Sequence, residues 1–263
     1  MVGRRALLSC LLAVTLAGCQ SYGARLQASP AGYRADDVSV PDSPYSRTHW
    51  KAILLSGDNS IRAFDNAVRD LAAKFRSAGV EVVAILSPTS KDRPATHAGL
   101  AEAASELRPA EGEGCLLYAT SHGAFHGLLL QRDAQNNILT PEELNAIVTP
   151  ACGQRPTIIV ISACQSGTFI REATVAPNRI LFSAASELRK SFGCRAERLH
   201  TYYDGCFIQQ FGQQFGRPGT WENLYAAVNA CVQDREAKLQ ELPSEPQAFF
   251  GRLMKNLPLP TAR

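Results

Sequence analysis

Apolar residues along the chain follow two rhythms that take turns. Residues 52–55, 80–86, 115–119, 157–162 and 179–183 are short, nearly unbroken apolar runs, the pattern of strands covered on both faces. Between the first two runs, Phe64, Val68, Leu71 and Phe75 recur at helical spacing, and Gly79 stands where a helix cap is expected. Residues 100–107 read as a second helix and 128–131 as a hairpin-like extension. Thr140, Pro141 and Glu143 combine a cap, a first-turn proline and a capping-box acid, so a helix opens there and runs to about residue 148. Further helices are expected over roughly 204–215, 220–240 and 246–255. Alternating strands and helices predict an α/β three-layer sandwich with a mostly parallel central sheet and helices on both faces.

The first residues break this pattern. Arg4 and Arg5 precede an apolar stretch over residues 6–17, too short for a comfortable membrane span and shaped like a signal peptide. Leu16-Ala17-Gly18-Cys19 resembles the lipobox of bacterial lipoproteins, in which the cysteine is lipidated. The expected layout is therefore a signal peptide over residues 1–18, a lipid-anchored tether over 19–48, and one folded domain over 49–263. That places the protein in the bacterial envelope facing the periplasm, and Gln20 after the lipidated cysteine favours the outer membrane.

The chain is 45% hydrophobic and 19% charged, with a net charge of +3, and its basic residues form no stripe. Nucleic acid is therefore not an expected partner. Six cysteines follow Cys19. Cys115 lies in a buried run and reads as a small core residue, whereas one disulfide is expected among Cys152, Cys194, Cys206 and Cys231.

Two of the apolar runs end in residues with chemistry. One is followed by Ser121-His122-Gly123, the other by Ala163-Cys164-Gln165-Ser166-Gly167. Adjacent parallel strands project their following loops into one crevice at the carboxyl edge of the sheet. A cysteine there needs a proton acceptor to become a thiolate, and His122 can serve as general base and then as acid toward a leaving amine. The N–H groups of Gly123 and Cys164 can stabilise a tetrahedral oxyanion. His126 has no ligand set at a recognised metal spacing, so neither metal nor cofactor is expected. No Gly-x-Ser-x-Gly elbow supports a serine hydrolase.

These segments resemble the legumain-like cysteine peptidases, family C13 of the caspase-like clan. The likeness extends to Ser60-Ile61-Arg62, Ser191-Phe192-Gly193-Cys194 and Thr201-Tyr202-Tyr203-Asp204-Gly205, and so covers about residues 50–215. It implies a caspase-like fold and an endopeptidase or transpeptidase that cleaves after Asn or sometimes Asp. It also places Arg62, Ser162, Ser191 and Asp204 at substrate-binding positions. Ser162 stands where legumains carry Glu, and Asp204 precedes Gly205 where the family has the reverse order, so an amide-reading pocket is altered here. The expected partner is a peptide or protein substrate. The alternative is a catalytically silent envelope lipoprotein that binds peptides in the same crevice.

Overall fold

A computed structural model of the chain describes residues 43–131, 137–214 and 219–261. The leader, Cys19 and nearly all of the tether lie outside these residues. Six strands form the main sheet: β1 (His49–Ser56), β2 (Glu81–Leu86), β3 (Glu113–Thr120), β7 (Thr157–Ser162), β8 (Arg179–Ser183) and β9 (Gln247–Phe250). Their spatial order is β2-β1-β3-β7-β8-β9, and every pairing is parallel except β8 with β9. A small antiparallel sheet of β4 (Gly123–Ala124), β5 (Gly127–Leu129) and β6 (Ile138–Leu139) follows β3 directly.

Side chains alternate across the sheet as the pleat requires. Leu54, Tyr118, Val160 and Phe182 align on four neighbouring strands. They pack against α1 (Arg62–Ser77), α4 (Tyr202–Gln214) and α5 (Trp221–Glu236). Their neighbours Ile53, Leu117, Ile159 and Leu181 face the other way, onto α2 (His97–Leu107) and α3 (Pro141–Cys152). The result is three layers, as the alternation of elements predicted. Thr140 closes a full capping box at the start of α3. That helix continues through the exposed Pro150 to Cys152, beyond the expected end.

Two expectations are corrected. Residues 246–255 are not a helix. Gln247–Phe250 is the edge strand β9, and its two phenylalanines obey a period of two: Phe249 packs with the α2/α3 layer and Phe250 with the α1/α4/α5 layer. Cys115 is buried, but it is not a free core thiol. It forms a disulfide with Cys152, because β3 points it at the layer where α3 ends. A second disulfide, Cys206–Cys231, ties α4 to α5. Cys164 and Cys194 remain as thiols.

Candidate active site

The register of the sheet sets the site. Thr120 at the end of β3 pairs with Ser162 at the end of β7, so His122 and Cys164 stand two residues beyond a matched pair. Ser121 N–H donates to Ser162 O at 3.1 Å and carries the match one residue past the strand. Gly123 then presses on the cysteine. A Cβ built on Gly123 would collide with the Cys164 carbonyl oxygen and lie 2.7 Å and 2.8 Å from its C and N atoms. Only glycine fits, and the contact places the His122-Gly123 backbone directly against the cysteine.

The hairpin after His122 leaves the Gly123 amide unused. Leu129 N–H donates to His122 O at 2.9 Å, making these two a hydrogen-bonded pair. Gly123, opposite Leu128, is one step on and in the non-hydrogen-bonded position, so its N–H points out of the ladder. Beyond Cys164, Gln165 adopts a left-handed φ of 56°, a conformation uncommon for a residue with a side chain. Its N–H donates to Arg189 O at 2.8 Å, and Gly167 N–H donates to Ala185 O at 2.8 Å. The cysteine turn is therefore clamped to the loop that follows β8.

The half-buried Cys164 thiol is bracketed by one residue of that loop. Ser191 N–H donates to Sγ at 3.3 Å, and Sγ donates to Ser191 O at 3.5 Å. The thiol thus rests on the Ser191 backbone rather than on the imidazole. Catalytic hydrogen bonds commonly tighten only when substrate binds.

His122 also contacts two residues that were not expected in the site. Its Nε2 lies 3.2 Å from Ser60 Oγ, and the Phe64 ring meets the imidazole edge-on at 5.2 Å between centroids. Ser60 Oγ donates its proton to Asp58 Oδ1, which also accepts from Ser60 N–H at 2.8 Å. A hydroxyl has one proton, so an oxygen that donates to Asp58 can only accept from His122. This assigns the proton to Nε2 and leaves Nδ1 as the basic nitrogen. The available signal was the turn-rich segment 56–60, which follows β1 beside β3. The N-cap position of α1 falls on Ile61, which has no side-chain oxygen to bond the first turn, and Ser60 stands one residue before it.

The remaining expected site residues divide. Arg62 is the exposed first residue of α1, two positions from Ser60, and has no carboxylate partner among the described residues. Ser191 touches the thiol through its backbone. Asp204 and Ser162 do not open to the crevice, and that expectation is corrected. Asp204 is fully buried and accepts from Tyr118 OH at 2.7 Å, Thr120 Oγ1 at 2.8 Å and Thr201 Oγ1 at 2.8 Å. Ser162, also buried, faces the same carboxylate without completing a regular hydrogen bond. Asp204 thus ties the end of β3 to the start of α4. Burial raises its carboxyl above the ordinary value, and the surrounding hydroxyls oppose the rise. Burial also pushes the Cys194 thiol up to about 12, with smaller contributions from Cys164 and Asp204, so Cys194 stays protonated and unreactive at neutral pH.

The neighbouring parallel strands β3 and β7 carry His122 and Cys164 in the segments that follow them, within a caspase-like α/β fold. Caspase-1 from Spodoptera frugiperda shares the fold: its structure superposes with a TM-score of 0.57 at 14% identity, over 82% of this chain and 94% of that one. No curated protein matches the sequence. The profile of the peptidase C13 family matches residues 105–256, more than half of the 263 residues. The chain belongs to the peptidase C13 family.

Proposed function

We propose that the protein is a cysteine endopeptidase of the bacterial envelope, anchored by lipid on Cys19, with Cys164 as nucleophile and His122 as its base. The observation that carries this reading is the matched register of β3 and β7, sealed by the contact of Gly123 with the Cys164 backbone. His122 Nδ1 takes the thiol proton, and the thiolate attacks the peptide carbonyl. The Gly123 N–H, free of the hairpin ladder, stabilises the oxyanion. Collapse of the tetrahedral intermediate breaks the C–N bond, and the imidazolium returns its proton to the departing amine. The thioester is then cleaved by water, with His122 again accepting a proton, or by an incoming amine in transpeptidation. Ser60 and Asp58 hold the Nε2–H tautomer throughout. Two disulfides agree with an oxidising compartment such as the periplasm.

Arg62 is the specificity residue in this reading. A guanidinium without a carboxylate partner favours a carboxylate on the substrate, and the buried Asp204 and the serine at 162 offer no acid to read an amide. Cleavage after Asp is therefore expected to exceed cleavage after Asn. A peptide library digested by the wild type, with Cys164→Ala as control, tests both points. Cys164-dependent cuts after acidic residues, weakened by Arg62→Ala, are expected. Absence of Cys164-dependent cleavage would leave the silent peptide-binding lipoprotein as the better reading.

A further inference from the structure

Four large apolar side chains stand exposed among the described residues: Phe125, Leu188, Leu199 and Leu242. All four lie on segments joined to the crevice. Phe125 is on the hairpin three residues after His122. Leu188 immediately precedes Arg189, whose carbonyl holds the Gln165 N–H beside the cysteine at 2.8 Å. Leu199 belongs to the segment that runs from Ser191 to Thr201, and its carbonyl accepts from Asn66 Nδ2 of α1 at 3.1 Å. Leu242 is two residues before Ser244, whose carbonyl accepts from Ser186 N–H at 2.9 Å, and Glu245 pairs with Arg189 at 3.2 Å. None of the four is on the outer face of a helix or at the amino edge of the sheet. Scattered exposed apolar residues are ordinary, but a set confined to the loops of one site marks a contact surface.

The sheet order gives this surface a direction. β7 lies between β3 and β8, so the segments carrying Phe125, after β3, and Leu188, after β8, leave the sheet on opposite sides of the strand that carries Cys164. The Phe125 ring packs edge-on against His126 at 4.9 Å, and the Leu188 loop is tied through Arg189 to Glu245.

We infer that the substrate is an extended peptide lying across the end of β7 with a bulky apolar residue on each side of the scissile bond. One of these residues sits against Phe125 and the other against Leu188. The inference rests on the peptidase reading and adds the class of sequence cleaved. In this account Arg62 reads one charged side chain of the substrate, and residues near it in the substrate sequence are apolar.

The test is a peptide library varied on both sides of an Asp cleavage position, digested by wild type, Leu188→Asp and Phe125→Ser. The wild type should prefer Leu, Ile or Phe at one position on each side. Leu188→Asp should lower kcat/KM about tenfold or more for apolar residues on one side only, and Phe125→Ser likewise on the other, the range set by losing an apolar pocket contact. The rate at which a small alkylating agent modifies Cys164 should stay at the wild-type value in both variants, which shows that the fold and thiol are intact. Cys164-dependent cleavage without an apolar preference would overturn the inference while leaving the peptidase reading standing. So would variants that cut as wild type, or a preference lost on the same side in both. Loss of a wild-type dimer in the variants, with cleavage unchanged, would reassign the surface to self-association. No Cys164-dependent cleavage by the wild type would instead remove the peptidase reading and this inference with it.

Discussion

Leu54, Tyr118, Val160 and Phe182 sit side by side on four strands, and each obeys the local rules: buried, apolar, alternating with its neighbours. A few residues further along the same strands every rule gives way. The Ser60 hydroxyl is taken up by Asp58 and His122, and Gln165 takes a left-handed φ. Gly123 sits too close to a neighbouring backbone for any side chain, and leucine and phenylalanine stand in water. The sheet interior is built for stability and its carboxyl edge for placement. Local conflicts of this kind gather where a protein spends stability on function.

The sharpest way to break this contrast is Gly123→Ala. The added methyl must displace the Cys164 backbone, so kcat/KM should fall about a hundredfold or more while circular dichroism shows the helices intact. Full activity in the folded variant would mean that the contact does not align the site. The converse change is in the interior. Removing the Cys115–Cys152 disulfide, which links residues 37 positions apart, with paired alanines should cost about 3 kcal/mol in a denaturant titration. Alkylation of Cys164 in the folded state should keep its rate, because the bond lies on the α2/α3 face. A change in that rate would join the two regions that the structure separates.

Smaller effects test the supports of the edge. Ser60→Ala should lower kcat about tenfold with little change in KM, since it frees the imidazole without touching substrate. Ser60→Thr, which keeps the hydroxyl, should restore part of the loss. The smallest effect concerns pH. The folded carboxyl of Asp204 lies above the unfolded value of 3.8, so its contribution to stability is complete below that value and fades as the pH rises through the folded one. Asp204→Asn should therefore flatten the fall in stability from about pH 4 upward, measured by thermal unfolding across that range. An unchanged slope would mean that another group sets it.

The layers were legible in the sequence because burial leaves a periodic trace in each element separately. The five parallel strands, the amphipathic α1 and the Thr140 capping box all follow from residues within one or two turns of each other. So did the nomination of His122 and Cys164, whose preceding runs read as neighbouring strands. What escaped depends on closure in space. β9 is four residues long at a sheet edge, and its aromatic pair makes sense only against β8. Cys115 shows no sign of Cys152 until α3 returns to the sheet. Asp204 lies far along the chain from Tyr118 and Thr120, so its burial could not be read from its own neighbourhood. Ser60 gave no sign of its contact with His122, which is 62 residues away.

The central claim is that His122 activates Cys164, and one comparison tests it most directly: the rate of Cys164 alkylation near pH 7 in the wild type and in His122→Ala, with modified residues identified by mass spectrometry. The account predicts modification of Cys164 and not of Cys194, whose thiol burial pushes up to about 12. It also predicts that the rate drops about tenfold or more without the imidazole. Equal rates in the two proteins, or labelling of Cys194 in preference to Cys164, would contradict it.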